Sequence, residues 1–275
     1  MKYRIFALGL LALLFVHSDA AADPIPPGAA ALGYSKRVIN ERPVVADIAP
    51  GRNGKYKWFS GQWYAKVPAS PDHYTTTGKG LLSLSLGGDL VSVPRDFSDG
   101  ILPPLAGDKG FYVEFEVQLS DNDPDHWPAV WLMPVEHNNK QLDSSSGDPA
   151  GFERWMELDV DEGGFGPGLT GTVIDWTGIW PHYARTLNRN NVSKVALDRA
   201  QPHIFGASYD PNQGRVTWWV DGIMQHSAAT VSKIGAQQHF YLIISAQTHG
   251  KQKPYAMMVN AVRAYVPPSS ALPPK

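Results

Sequence analysis

Residues 154–164 read RWMELDVDEGG and place four carboxylates, Glu157, Asp159, Asp161 and Glu162, within six consecutive positions. Trp155, Met156, Leu158 and Val160 stand among them, and on an extended strand residues two apart share a face. Glu157, Asp159 and Asp161 would then line one side while Leu158 and Val160 enter a core. Strict alternation leaves Glu162 on the wrong side. A β-bulge, one extra residue between Asp159 and Glu162, returns Glu162 to the acidic face and turns Asp161 aside. The outcome is a row of three carboxyls.

Such a row suits glycoside hydrolysis with retention, which needs a nucleophilic carboxylate and an acid/base carboxyl about 5 to 5.5 Å apart. Alternate residues of a strand stand about 6 to 7 Å apart, so the outer members of a bulged triplet converge when their side chains tilt inward. The middle carboxyl resists ionising beside its neighbours and can share a proton with the nucleophile. Two plainer readings compete. An EF-hand needs Asp or Asn at its fifth position and Gly at its sixth, whereas the fifth residue from Asp159 is Gly163. A solvated acidic edge strand fits this segment alone but not its surroundings.

Those surroundings are 275 residues, 43% hydrophobic and 18% charged, enough to bury a large core without a metal or a partner. With 26 Gly and 23 Pro among short alternating runs, the chain reads as strands joined by turns. A net charge of -2 offers no basic field for phosphates, which excludes nucleic acid as a partner. The 9 Trp and 11 Tyr supply flat faces with a polar edge, suited to sugar rings. Residues 1–22 read as a Sec-type signal peptide: Lys2 and Arg4, an apolar run from Ile5 to Val16, then small residues with cleavage after Ala20 or Ala22. With no Cys, the expectation is a secreted or periplasmic bacterial protein without disulfides and, after signal cleavage, without a membrane contact. Residues 23–268 form one domain and 269–275 a Pro-rich tail; a monomer is expected.

FYVEFEVQL (111–119) alternates with Val113, Phe115, Val117 and Leu119 on one face. Asp221-Gly222 between RVTWWV and IMQHS marks a type I′ hairpin turn, and HFYLIISA (239–246) is apolar enough for a strand buried on both faces. The fold expected is an all-β antiparallel sandwich. Residues 175–200 show little strand character and read as a long binding loop carrying Trp176, Trp180, His182 and Tyr183.

WMELDVDE, with Trp155, Glu157, Asp159 and Glu162, resembles the Trp-x-Glu-x-Asp-x-x-Glu signature of glycoside hydrolase family 16, the laminarinase-like β-glucanases. HWPAVWLMP (126–134), HIFGASYDPNQGRVTWWVDG (203–222), FYLIISAQTHG (240–250) and MMVNAVRAYV (257–266) resemble other family segments in the family's order. The resemblance implies a β-jelly roll with a concave substrate cleft, Glu157 as nucleophile, Glu162 as acid/base and Asp159 as the assisting carboxyl. It also implies substrate contacts at Trp155, two residues before the nucleophile, at Trp127 and at Glu114, where Glu116 stands in place of the family's Arg. No counterpart of the family His is found near Ile174 and Asp175; His182 is the substitute, with Trp176 beside it. Trp131 is expected in the core, and Trp218 and Trp219 on opposite faces, so that only one can reach the cleft.

The expected function is secreted, endo-acting, retaining hydrolysis of a β-linked polysaccharide, β-1,3- or mixed-linkage glucan first, with no metal or redox cofactor. A transglycosylase of the same fold, or a binding protein of lectin type, is the alternative. Retention of both Glu157 and Glu162 favours catalysis over binding alone.

Overall fold

The computed structural model describes residues 24–51, 55–65, 68–138, 143–144, 146–191, 195–247, 249 and 253–269. The leader and nearly all of the tail lie outside these residues. In chain order the strands are β1 (Lys36–Glu41), β2 (Phe59–Ser60), β3 (Tyr74–Thr76), β4 (Leu82–Ser85), β5 (Asp89–Val91), β6 (Leu105–Ala106), β7 (Phe111–Leu119) and β8 (Trp127–Pro134). They continue with β9 (Phe152–Glu162), β10 (Thr170–Ile179), β11 (His182–Asn191), β12 (His203–Asp210), β13 (Arg215–Val220), β14 (Ile223–Ala229), β15 (His239–Gln247) and β16 (Ala256–Val266). Single-turn helices α1 (Pro27–Ala30) and α2 (Val135–Asn138) flank them. No described helix is long and apolar enough to cross a membrane.

Two antiparallel sheets form the expected sandwich. The first runs β14-β13-β12-β7-β16-β4-β3 with β1 also on β16; the second runs β11-β10-β9-β8-β15-β5-β2 with β6 also on β15. Alternation decides what lies between them. Val113, Phe115, Val117 and Leu119 of β7 meet Val130, Leu132, Leu158, Val160, Leu242 and Ile244 of the second sheet in one core. β15 is buried on both faces as expected, for Tyr241 and Ile243 join a separate apolar layer on the outer face of the second sheet, with Trp131 and Trp155. At the tip of the β13–β14 hairpin Asp221 and Gly222 take φ of 51° and 76°, the left-handed pair a type I′ turn demands.

Residues 175–200 depart from expectation. Residues 170–191 form a β-hairpin, β10 and β11 paired from Thr170↔Asn191 to Ile179↔His182. β11 is the edge strand of its sheet, and most of its described side chains are exposed. It therefore has no buried face to impose an alternation on the sequence. Trp218 and Trp219 do lie on opposite faces, yet neither reaches the cleft. Trp218 is fully buried between the sheets, and Trp219 packs with Tyr112 and Tyr265 on the outer face of the first sheet.

Candidate active site

The bulge expected in the acidic strand is present. β9 faces β8 with Leu158↔Leu132 and Asp159↔Trp131, then shifts register so that Asp161 opposes Val130 and Glu162 opposes Ala129. Two residues on β8 separate the partners of Asp159 and Glu162, whereas three separate them on β9, so Val160 is the extra residue and Glu162 rejoins the face of Glu157 and Asp159. Asp161 turns into the sandwich and is 2% exposed. There Arg199 grips it with Nη1 at 2.6 Å and Nη2 at 3.0 Å, while the Thr170 backbone N–H donates to its Oδ1 at 3.3 Å. The bulge puts a charge into the core, and the chain supplies a guanidinium in bidentate contact to meet it.

Indole donors hold the outer glutamates. Trp176 Nε1–H donates to Glu157 at 2.8 Å and Trp127 Nε1–H to Glu162 at 2.9 Å. Trp218 donates across the core to the backbone carbonyl of Asp159 at 2.8 Å, anchoring the bulged strand to the opposite sheet. After Glu162, Gly164 takes φ +81°, and a Cβ there would lie 2.0 Å from the Trp127 ring; glycine lets the indole settle beside Glu162. Burial, and then the Glu162 charge, push the Glu157 carboxyl from 4.5 up to about 7, against hydrogen bonds from Trp176 and with Asp159.

Around Glu157 opens a cavity of about 380 Å³, walled by Trp63, Tyr64, Trp131, Trp176, Trp180 and Tyr183 among others. Tyr64 and Trp180 are 54% and 57% exposed, and each meets Trp63 edge-on at 5.5 and 5.7 Å. Trp155 corrects the expectation of a sugar platform. It shares the face of Glu157 and belongs to the cavity lining, but at 2% exposure its ring is covered, stacked with His137 and Trp176 at centroid distances of 3.6 and 5.8 Å. Trp127 and Trp176, expected as substrate contacts, bond instead to the carboxylates; Trp176 also lines the cavity and Trp127 does not, while Trp131, though buried, forms part of the lining.

Two expected contacts fall elsewhere. Glu114 lies on β7, whose apolar residues fill the core, so it faces away from the cleft; it accepts from Tyr112 Oη at 2.9 Å and Arg263 Nη1 at 3.0 Å. Glu116 faces the same way, bonded to Asn260 and 3.6 Å from Arg263. His182 is exposed at the start of β11 and does not line the cavity. Trp63 and Tyr64 escaped sequence reading, because they come from a connection some 90 residues before β9. Their signal was an adjacent aromatic pair inside a Gly- and Pro-punctuated stretch.

No family model matches the chain. Among solved structures, the GlcNAcα1-4Gal releasing endo-β-galactosidase from Clostridium perfringens is similar at TM-score 0.54 and 14% identity, over 87% of this chain and 64% of that one. A glycoside hydrolase family 16 endo-glucanase from Bacteroides ovatus is similar at TM-score 0.47 and 14% identity, over 71% and 86% of the two chains. An endo-1,3-β-glucanase (laminarinase) catalytic domain from Thermotoga petrophila is similar at 0.43 and 15% identity, over 72% and 81%. The chain shares its antiparallel β-sandwich fold with the Clostridium enzyme.

Proposed function

We propose that the protein is an endo-acting, retaining glycoside hydrolase of family 16 character that cleaves a β-linked polysaccharide, with β-1,3- or mixed-linkage glucan the first substrate to try. The observation that carries this reading is the bulge in β9, which sets Glu157, Asp159 and Glu162 on one face beside an aromatic cavity. Sugar rings stack on the exposed faces of Tyr64 and Trp180, and the scissile bond lies over the carboxyl row. Glu162 protonates the departing glycosidic oxygen while Glu157 attacks the anomeric carbon, forming a glycosyl-enzyme. Water, deprotonated by Glu162, then releases the sugar with its original configuration. Asp159 keeps the proton it shares with Glu157, so that Glu157 attacks as the carboxylate. The Trp176 and Trp127 indoles fix the two carboxylates in place.

The leader at residues 1–22 supports secretion or a periplasmic location, and a monomer suffices because the row and the cavity come from one chain. The reading is tested by incubating the protein with a panel of reduced-end-labelled polysaccharides beside Glu157→Gln and Glu162→Gln. New reducing ends from a β-glucan, absent with both variants, are expected. Binding to glucan without any new ends from the wild type would reduce the protein to a lectin.

A further inference from the structure

Beside the cavity lies a cluster of titratable groups that glycosidic chemistry does not use. His137 of α2, Asp143 and Glu153 of β9 are 2%, 6% and 2% exposed, and one ligating atom from each lies within 4.8 Å of the others. His137 Nδ1 is 2.9 Å from Asp143 Oδ2 and 3.9 Å from Glu153 Oε2. Two carboxylates removed from water are costly unless positive charge meets them. Among the described residues no Lys or Arg pairs with either, and Arg154 turns instead to Asp148. His137 can balance only one of the two. A second observation points the same way: Asp143 Oδ1, on the carboxylate that already faces the imidazole, is buried without a partner among the described residues.

We propose that His137, Asp143 and Glu153 bind one divalent cation of the zinc class. One imidazole and two carboxylates form a donor set that Zn²⁺ takes at about 2.0–2.2 Å, whereas Ca²⁺ and Mg²⁺ call for oxygen donors. Around a tetrahedral ion with such bonds the ligating atoms stand about 3.3–3.6 Å apart. Separations of 2.9 and 3.9 Å bracket that span and need only small side-chain shifts. The ion's two positive charges balance both carboxylates and leave the imidazole neutral. Its role is to brace the cavity wall: His137 stacks on Trp155 and meets Trp63 edge-on at 4.4 Å, and the Tyr183 hydroxyl donates to Glu153.

The test titrates the full mature chain, stripped with a chelator, with Zn²⁺, Co²⁺ or Ca²⁺ in a calorimeter, beside Asp143→Asn and Glu153→Gln. Each variant is first shown by thermal melting to be folded. The wild type should bind one Zn²⁺ per chain, with tenfold or greater loss of affinity in both variants. Its Co²⁺ adduct should show the visible absorption of a four- or five-coordinate ion. Absence of saturable Zn²⁺ binding, equal affinity in folded variants, or tighter binding of Ca²⁺ than of Zn²⁺ would each overturn the proposal. Because no polysaccharide enters the titration, its outcome is separate from that of the glycosidic reading.

Discussion

The proposed roles of Glu157 and Glu162 are separable by the choice of substrate. Loss of either outer carboxyl should lower turnover of polysaccharide by about 10²–10⁴. Aryl glycosides with an acidic leaving group need no proton from Glu162, so Glu162→Gln should recover first-step burst activity on them and Glu157→Gln should not. Equal losses on both substrates would exchange or void the roles. Stability carries a second mark. Glu157 is raised from 4.5 to about 7, so its contribution is fully present below pH 4.5 and is lost as pH climbs through 7. Glu157→Gln removes the buried charge and should stabilise the protein by on the order of 2 kcal/mol at pH 8, with little gain at pH 5, read from melting curves at both values. The carboxyl row was legible because strand parity and one bulge fix which side chains share a face. Trp155 and Glu114 were misplaced for a related reason: parity assigns a face but not what covers it.

The ion pair of Asp161 and Arg199 is what the bulge in β9 requires. Replacing Arg199 by Met leaves a buried carboxylate unpaired and should cost about 3–5 kcal/mol, whereas the Asp161→Leu, Arg199→Met double variant should regain most of that loss. Denaturant titration of the wild type, both single variants and the double variant measures it; additive losses would mean that the pair is not coupled. Asp161 could be read from sequence as the displaced acid. Arg199 could not, because its partner lies 38 positions away. The β10–β11 hairpin was read as a loop since an edge strand leaves little apolar alternation, though its aromatic residues were already marked for binding. Trp180 at its tip is half exposed, so Trp180→Ala should raise KM severalfold with kcat nearly unchanged, the signature of lost uniform binding. A fall in kcat alone would move Trp180 away from a simple platform role.

Packing of the two sheets decides how the cleft is made. The sandwich itself was legible from the alternation in β7, the doubly buried β15 and the Asp221-Gly222 turn, each a local pattern. The cavity wall was not, because Trp63, Tyr64, Trp180 and Tyr183 come from distant stretches and meet only when the second sheet is assembled. The cluster of His137, Asp143 and Glu153 was equally silent, its members spaced in no motif. What the assembled cleft does is decided most directly by proton NMR of the first products released from a β-glucan. Products with the β configuration, turning to α only by later mutarotation, are the predicted result of direct attack by Glu157. Initial α products would mean that the outer carboxyls stand far enough apart to admit water, and would contradict the double displacement proposed for this row.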